Sequence, residues 1–145
     1  MKLKKLTPQF VKYIPKEIEA GIIYISMEFA TATHKCCCGC GSMIVTPFSP
    51  TFWKLYFDGE SISLRPSIGN WSFPCQSHYW INRNEVQWDR QFSDEEIHSV
   101  RNLASLEREM YRRGRSTEQT EETEAPAKVY VRETWWHRLK RHLFR

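Results

Sequence analysis

Five cysteines, all lying between Cys36 and Cys75, constrain this chain more than any other feature. Four of them fall in the run His34-Lys-Cys-Cys-Cys-Gly-Cys40-Gly, and the fifth opens the segment Cys75-Gln-Ser-His78. Thiolates with a nearby imidazole are the ligands that Zn²⁺ selects at tetrahedral geometry. A Cys-X-Cys pair followed by Cys-X-X-His therefore predicts a zinc site. Its predicted ligands are Cys38, Cys40, Cys75 and His78.

The choice of ligands stays open at this stage, as does the role of the metal. Cys36 could replace Cys38 or Cys40, and His34 is a spare nitrogen nearby. Cys37 points away from its neighbours if the segment is extended, so it is left out of the ligand set. Four protein ligands form a closed structural site, whereas a catalytic zinc keeps one position open for water.

The rest of the chain indicates a cytoplasmic protein of one main domain. Its length of 145 residues suits a single domain with an appended segment. Charged residues and prolines interrupt the N-terminal region before any apolar run of a signal peptide develops. No stretch approaches the roughly 18 apolar residues that span a bilayer. In a reducing compartment, clustered cysteines favour a metal or catalysis over disulfides.

The charge distribution disfavours a dedicated nucleic-acid binder. The formal net charge is +4, and the acidic and basic residues of 1–100 balance one another. The excess of positive charge therefore lies in the C-terminal segment. A neutral core with a basic tail lacks the broad basic surface expected of a DNA- or RNA-binding domain.

Hydrophobic patterning predicts an α+β fold built mainly on antiparallel strands around the zinc site. Asp58-Gly59 and the segment 82–84 are turn signals between apolar runs, so each predicts a hairpin. The segment 66–70 is predicted to be a loop. Strands are predicted at 21–27, 43–46, 52–57, 61–65, 79–81 and 85–88.

Helical patterning follows the strands. Ser93 and Glu96 form a capping box, and apolar residues then recur at helical spacing, which predicts a helix over about 94–113. Gly114 is expected to end it, so that residues 1–113 form the zinc-containing domain. The polar segment 114–128 is predicted to be a flexible linker. Residues 129–145 are basic and tryptophan-rich, and they predict an amphipathic helix that docks on a partner. The alternatives are packing on its own domain and binding to an anionic membrane surface.

Glu28 is the candidate catalytic carboxylate. It follows a predicted apolar strand and precedes the cysteine run by a few residues. A carboxylate near a metal-bound water can act as its general base. The alternative is an ordinary exposed carboxylate at a strand end.

Four segments carry a family resemblance: Tyr24-Ile-Ser-Met-Glu-Phe-Ala-Thr-Ala-Thr-His34, Cys38-Gly-Cys-Gly41, Pro66-Ser-Ile-Gly-Asn70 and Cys75-Gln-Ser-His-Tyr-Trp-Ile81. They resemble a family of small bacterial zinc proteins encoded in ubiquitin-like conjugation operons. The resemblance implies a zinc-dependent peptidase that matures a ubiquitin-like protein or removes it from its conjugates, with conjugation enzymes as further partners. A non-catalytic zinc module that binds proteins in the same pathway is the alternative.

The resemblance also implies roles for individual residues. The zinc would polarise the scissile carbonyl and activate a water, and Glu28 would take the proton of that water. Ser67 or Asn70 would hydrogen-bond the developing oxyanion. The extended, glycine-rich tail of the ubiquitin-like protein would add as a strand to an exposed sheet edge.

Overall fold

The computed structural model describes residues 1–124, in which eight strands precede one helix. This composition confirms the predicted α+β class. Residues 1–109 form one compact unit, which contains all eight strands and the start of the helix. In chain order the elements are β1 (Thr7–Phe10), β2 (Ile22–Ser26), β3 (Thr31–Lys35), β4 (Met43–Pro47), β5 (Lys54–Phe57), β6 (Ile62–Gly69), β7 (His78–Asn82), β8 (Glu85–Trp88) and α1 (Asp94–Glu124).

The strands form two four-stranded sheets, ordered β1-β2-β3-β4 and β5-β6-β7-β8. The pairing of β1 with β2 is parallel, and the pairings of β2 with β3 and of β3 with β4 are antiparallel. In the second sheet, each strand pairs antiparallel with the next one along the chain. The expectation of mainly antiparallel sheets is therefore confirmed.

Hydrogen bonds link the two sheets on both sides. On one side the amide of Val86 in β8 donates to the carbonyl of Lys4, just before β1, at 2.8 Å. On the other side the amide of Trp53 donates to the carbonyl of Pro47, at the end of β4, at 3.2 Å. One continuous buried cluster draws on both sheets, so the sheets share a core. Its fully buried side chains include Leu6, Ile23, Ile25, Ile62, Leu64 and Tyr79.

Both predicted hairpins are present. The Asp58 carboxylate accepts the amide of Ser61 at 2.6 Å, and Gly59 takes a positive φ of 98° in the same turn. In the second hairpin Arg83 and Asn84 both have positive φ, as a tight two-residue turn requires. Local turn chemistry therefore fixes the register of the second sheet.

Three strand assignments differ from the sequence prediction. β1 and β3 were not predicted, because neither has an alternating apolar pattern. The segment 66–70 was predicted to be a loop, yet β6 continues through Pro66 to Gly69. The ladder between β6 and β7 is irregular between Leu64 and Ile68, and a proline is tolerated at such a bulge.

Helix α1 begins as predicted and ends later than predicted. The hydroxyl of Ser93 accepts the amide of Glu96, and the Glu96 carboxylate accepts the amide of Ser93, which completes the capping box. Gly114 does not end the helix, which runs to Glu124. One glycine costs a helix only about 1 kcal/mol, and arginine, glutamate and glutamine around it are good helix formers.

The predicted linker is therefore helical over 114–124, and the predicted domain boundary after residue 113 stays a prediction. The predicted helix 129–145 lies outside the described residues. Within residues 1–124, no helix combines the length and apolar character needed to cross a bilayer.

Candidate active site and metal centre

A serine and a histidine meet at the bulged end of β6. The Oγ of Ser67 lies 2.9 Å from the Nε2 of His78, which is the first residue of β7. His78 is buried, with 3 % of its surface exposed, while Ser67 is half-buried. A serine hydroxyl within hydrogen-bond reach of an imidazole is the arrangement of a base-activated nucleophile.

The second ring nitrogen determines which tautomer of His78 this geometry favours. The Nδ1 of His78 lies 3.1 Å from the backbone carbonyl oxygen of Arg90. A carbonyl oxygen only accepts hydrogen bonds, so Nδ1 carries the proton and donates it. The lone pair of Nε2 is then free to accept the hydroxyl proton of Ser67. This is the tautomer that a general base requires.

A carboxylate completes the polar surroundings of His78. The Oδ2 of Asp89 lies 3.8 Å from Nδ1. Two hydrogen bonds lower the pKa of Asp89. The larger effect comes from the amide of Arg90 and the smaller from the indole of Trp80. The Asp89 carboxylate is therefore negatively charged at neutral pH, and it lies on the Nδ1 side of the His78 ring.

Two aromatic rings fix the orientation of the His78 ring. The Phe92 ring meets it edge-on at 4.5 Å, and the Trp71 ring lies at 5.8 Å. Trp71 and Phe92 also stack on each other at 5.5 Å. Trp71 can occupy this position only beside a glycine, because a Cβ on Gly69 would lie 2.5 Å from its ring. Packing therefore holds the imidazole in one pose.

The cysteines form a separate cluster. The sulfur atoms of Cys36, Cys38, Cys40 and Cys75 all lie within 4.8 Å of one another. The Cys36 sulfur is 3.3 Å from that of Cys38 and 4.0 Å from that of Cys75. Four thiolates around a tetrahedral zinc, each about 2.3 Å from the metal, would be about 3.8 Å apart. The four thiols therefore fit a metal ion with little adjustment.

A tight turn brings these sulfurs together. The amide of Gly39 donates to the carbonyl of Cys36 at 3.0 Å, and Gly39 has a φ of +88° that favours glycine. Burial raises the pKa of Cys38 to about 12. Hydrogen bonds with the hydroxyl and then the backbone of Ser42 lower the pKa of exposed Cys40 to about 6. Cys37 lies outside the cluster, and burial raises its pKa to about 12.

The loop 70–77 joins the two sites. The side-chain amide of Asn70 donates to the hydroxyl of Ser77 at 2.8 Å. That hydroxyl lies 3.1 Å from the sulfur of Cys36. Ser77 thus faces the cysteines, while His78, the next residue, faces Ser67. Successive side chains of an extended segment point to opposite faces, so neighbours in sequence serve different sites.

The predicted metal ligands are brought together in part. Cys38, Cys40 and Cys75 lie in one cluster with Cys36, the alternative ligand that the sequence offers. His78, the fourth predicted ligand, lies outside this cluster, and both of its ring nitrogens have other partners.

His34, the spare nitrogen of the sequence analysis, also lies outside the cluster. Its Nε2 lies 2.9 Å from the hydroxyl of Tyr79. Burial lowers the pKa of His34 to about 4, so the ring is neutral at pH 7. It is a core histidine of the first sheet.

Glu28 is not brought to the cysteines. It lies in the turn between β2 and β3, where its exposed carboxylate is 3.9 Å from the Nζ of Lys12. Cys36 follows the opposite end of β3. The five residues of β3 separate the two positions, a length of about 16 Å at the usual rise of a strand. Ser67, in contrast, lies beside His78, with its Oγ 2.9 Å from the Nε2.

Asp89 and the Arg90 carbonyl were missed by the sequence reasoning. The hairpin centred on Arg83 and Asn84 contains the signal that could have identified Asp89. Its register pairs Tyr79 with Trp88, and extending the register by one residue places Asp89 opposite His78. The amide of Asp89 indeed donates to the carbonyl of His78 at 3.0 Å.

Comparison with known proteins identifies the family. A family profile described as bacterial ubiquitination-like system serine protease (BubE) matches residues 10–89, more than half of the chain. The matched region contains Ser67, His78, Asp89 and the four cysteines of the cluster. No curated protein and no solved structure matches the chain. The chain belongs to the BubE family of proteases from bacterial ubiquitination-like systems.

Proposed function

We propose that this protein is a serine peptidase in which Ser67 is the nucleophile and His78 is the general base. The distance of 2.9 Å between the Ser67 Oγ and the His78 Nε2 carries this proposal. The family description, which names a serine protease, supports it independently. The tautomer fixed by the Arg90 carbonyl gives His78 the free lone pair that the role requires.

The reaction follows from these contacts. The Ser67 oxygen attacks the carbonyl carbon of the scissile bond while its proton passes to the His78 Nε2. The resulting imidazolium, stabilised by the Asp89 carboxylate, returns the proton to the leaving amine as the bond to the acyl carbon breaks. A water then attacks the acyl-Ser67 ester, with His78 again taking a proton and returning it to the Ser67 oxygen.

The proposed metal is a structural zinc ion held by Cys36, Cys38, Cys40 and Cys75. A site with four thiolate ligands is closed, so the zinc supplies a cross-link rather than an activated water. The cross-link would hold Cys75 against the turn at 36–40, three residues before His78. The metal-activated water predicted from the sequence is the rival mechanism, and the distance of Glu28 from the cysteines disfavours it.

The proposed substrate is a ubiquitin-like protein of the system that the family description names, either as a precursor or joined to a target. Enzymes of the same conjugation system are the further proposed partners. The proposed location is the cytoplasm, where a reducing environment keeps the five cysteines available as thiols.

Two measurements test the serine mechanism directly. The full chain is treated with a fluorophosphonate, which reacts with activated serines, and the labelled residue is located by mass spectrometry. In parallel, wild type and variants are incubated with a ubiquitin-like protein that carries a C-terminal extension. Ser67→Ala should lose labelling and cleavage, whereas Glu28→Gln should retain both. Ser63→Ala, on the same strand, is the matched control and should also retain both.

The alternative outcomes are distinct. Cleavage by Ser67→Ala at the wild-type rate would overturn the serine mechanism. Loss of cleavage in folded Glu28→Gln alone would favour the metal-activated water. Binding of the ubiquitin-like protein without labelling or cleavage would identify a non-catalytic module.

A further inference from the structure

Ser67 belongs to the outward side of β6, away from the core. The side chains of Ile62, Leu64 and Ile68 are buried, so the residues that alternate with them point outward. The ladder between β6 and β7 shifts by two residues between Leu64 and Ile68, and an even shift keeps the same side outward. The outward residues of β6 that alternate with the buried ones are Ser63, Arg65 and Ser67.

Contacts on this outward face join Arg65 to the reactive pair. The Arg65 guanidinium lies over the Trp80 ring, 5.4 Å from its centroid. The indole Nε1 of Trp80 donates to the Asp89 Oδ2 at 3.1 Å, and that oxygen is 3.8 Å from the His78 Nδ1. Arg65 and Ser67 are two residues apart on β6, a spacing of about 6.6 Å in a regular strand. A group bound at Arg65 would therefore lie beside a bond positioned at Ser67.

Three hydrogen bonds hold the half-buried Arg65 guanidinium and leave two of its donors for a ligand. Its Nη1 donates to the carbonyls of Leu64 and Ile81, at 3.0 and 3.3 Å. Its Nη2 donates to the Asn82 Oδ1 at 3.0 Å. A guanidinium has five N–H groups, so within residues 1–124 one N–H on Nε and one on Nη2 have no acceptor. Paired N–H groups of arginine bind a carboxylate through two parallel hydrogen bonds.

No carboxylate of the described chain neutralises the charge of Arg65. Within residues 1–124, neither Arg65 nor Lys54 forms an ion pair. Lys54 of β5 is the cross-strand partner of Arg65, and its side chain is exposed on the same face. Like charges directly opposite one another destabilise a sheet. The stability of the fold therefore does not explain why two positive charges lie side by side here.

We propose that Arg65, with Lys54 beside it, binds a carboxylate of the substrate next to the scissile bond. The two remaining N–H groups of Arg65 would donate to the carboxylate oxygens, while Trp80 holds the guanidinium in place. Two sources share this chemistry: an acidic side chain and the terminal α-carboxylate of a peptide. The inference rests on the proposed function, since it gives the proposed nucleophile a residue that determines specificity.

The test compares substrates that differ only in one charge. The probe is the ubiquitin-like protein with a C-terminal extension, made in pairs that carry glutamate or glutamine at one of three positions on either side of the cleaved bond. A further pair ends at the first residue of the extension, with a free carboxylate or a carboxamide. The two kinds of pair distinguish a side-chain carboxylate from a terminal one.

Three variants each remove one positive charge. Arg65→Gln and Lys54→Gln remove it from the proposed binding face. Arg83→Gln is the matched control, because Arg83 is exposed in the turn that follows β7, at the opposite end of that strand from His78. Labelling of Ser67 by an uncharged fluorophosphonate reports the nucleophile separately, and thermal unfolding reports the fold.

Wild type should cleave the acidic member of at least one pair with a kcat/KM about tenfold above that of its amide partner, the effect of a charge-assisted hydrogen bond. Arg65→Gln should lower this ratio to about one, because the two donors are lost. Lys54→Gln should lower it about two- to threefold, since an exposed charge contributes less. Arg83→Gln should keep the wild-type ratio. Added salt should lower the ratio in wild type, because it screens a partly exposed pair.

The proposal is overturned if no pair differs by more than about twofold in wild type, or if folded Arg65→Gln retains the wild-type ratio. If Arg65→Gln does not fold, an unchanged ratio in Lys54→Gln together with insensitivity to salt overturns it. It is also overturned if wild type is labelled at Ser67 but cleaves no member of any pair. Absence of labelling in wild type, or cleavage by Ser67→Ala, would instead show failure of the proposed serine mechanism.

Discussion

The two faces of the segment 75–78 differ in what their side chains are free to do. On one face, Cys75 joins three other thiols in a closed set, and Ser77 lies against the sulfur of Cys36. On the other face, His78 holds a proton on one nitrogen and offers a lone pair to Ser67 on the other. The first arrangement can bind a metal, and the second can move a proton.

Cys75 and His78 have the spacing of a ligand pair in the sequence, yet they contact different groups in the structure. A histidine three residues after a cysteine has the spacing of a metal ligand pair. The strand that begins at His78 directs this ring away from the cysteines, toward Trp71 and Phe92. The cysteine cluster and the Ser67–His78 pair are therefore neighbours along the chain with different proposed functions, and the Ser67–His78 pair can be changed without removing a residue of the cluster.

The largest effect is expected from Cys75→Ser. Losing one of four thiolates should abolish tight zinc binding, and because metal binding contributes directly to folding, the domain should unfold or melt far below wild type. Zinc content by mass spectrometry and thermal unfolding measure the two effects. Cys37→Ala is the matched control: it should keep its zinc, because Cys37 is buried outside the cluster. A folded, active Cys75→Ser protein would contradict a structural metal.

His78→Ala should lower the cleavage rate without changing the zinc content. Removal of the proposed general base should lower the cleavage rate by about 10³-fold or more, as in serine hydrolases that lose a triad member. Zinc content should remain that of wild type, since His78 lies outside the cysteine cluster. The sequence-based ligand set predicts the opposite, a loss of zinc. Measuring metal and activity on the same sample therefore decides between the two assignments of His78.

Asp89→Asn should have a smaller effect, which tests how His78 is oriented. The carboxylate is 3.8 Å from Nδ1, whereas the Arg90 carbonyl is 3.1 Å away and is retained in the variant. We expect kcat to fall about ten- to hundredfold, less than in triads where the carboxylate alone holds the imidazole. Trp80→Phe, which removes only the indole donor to Asp89, is the milder control. A loss as large as that of His78→Ala would show that Asp89 is the main support.

Local signals predicted much of this fold. Turn residues at Asp58-Gly59 and at 82–84 identified both hairpins of the second sheet, and the Ser93 capping box identified the start of α1. β3 was missed because Thr31–Lys35 buries small and polar side chains, which give no apolar alternation. Its burial depends on neighbouring strands, so no local pattern reports it.

The site was predicted less completely, for a related reason. Ligand spacing identified three cysteines of the cluster. His78 lies outside the cluster because of the direction in which the start of β7 points its ring, and spacing alone does not report that direction. Pro66 indicated a turn, which hid the bulged strand that brings Ser67 to His78. The predicted role of Ser67 was that of an oxyanion donor. Its position beside the His78 imidazole is a tertiary contact, which the order of residues along the chain does not reveal.

The smallest predicted effect concerns Glu96, which supports the reactive face from a distance. Its carboxylate pairs with the guanidinium of Arg90 and accepts the amide of Ser93. The pKa of Glu96 is lowered from 4.5 to about 2, mainly by the hydrogen bond from the Arg90 side chain and next by that from the Ser93 amide. A carboxylate with a depressed folded-state pKa stabilises the fold above its unfolded pKa and loses that contribution as pH falls. Wild type should therefore be slightly more stable than Glu96→Gln at pH 7, and the difference should vanish between about pH 4.5 and pH 2. Chemical unfolding of both proteins at each pH measures this, and comparison at equal pH cancels any loss of metal.

Activity should fall less than about twofold, because an exposed ion pair contributes little to positioning the Arg90 carbonyl. A tenfold loss would mean that the Arg90–Glu96 ion pair positions the Arg90 carbonyl, and through it His78, more strongly than an exposed pair should.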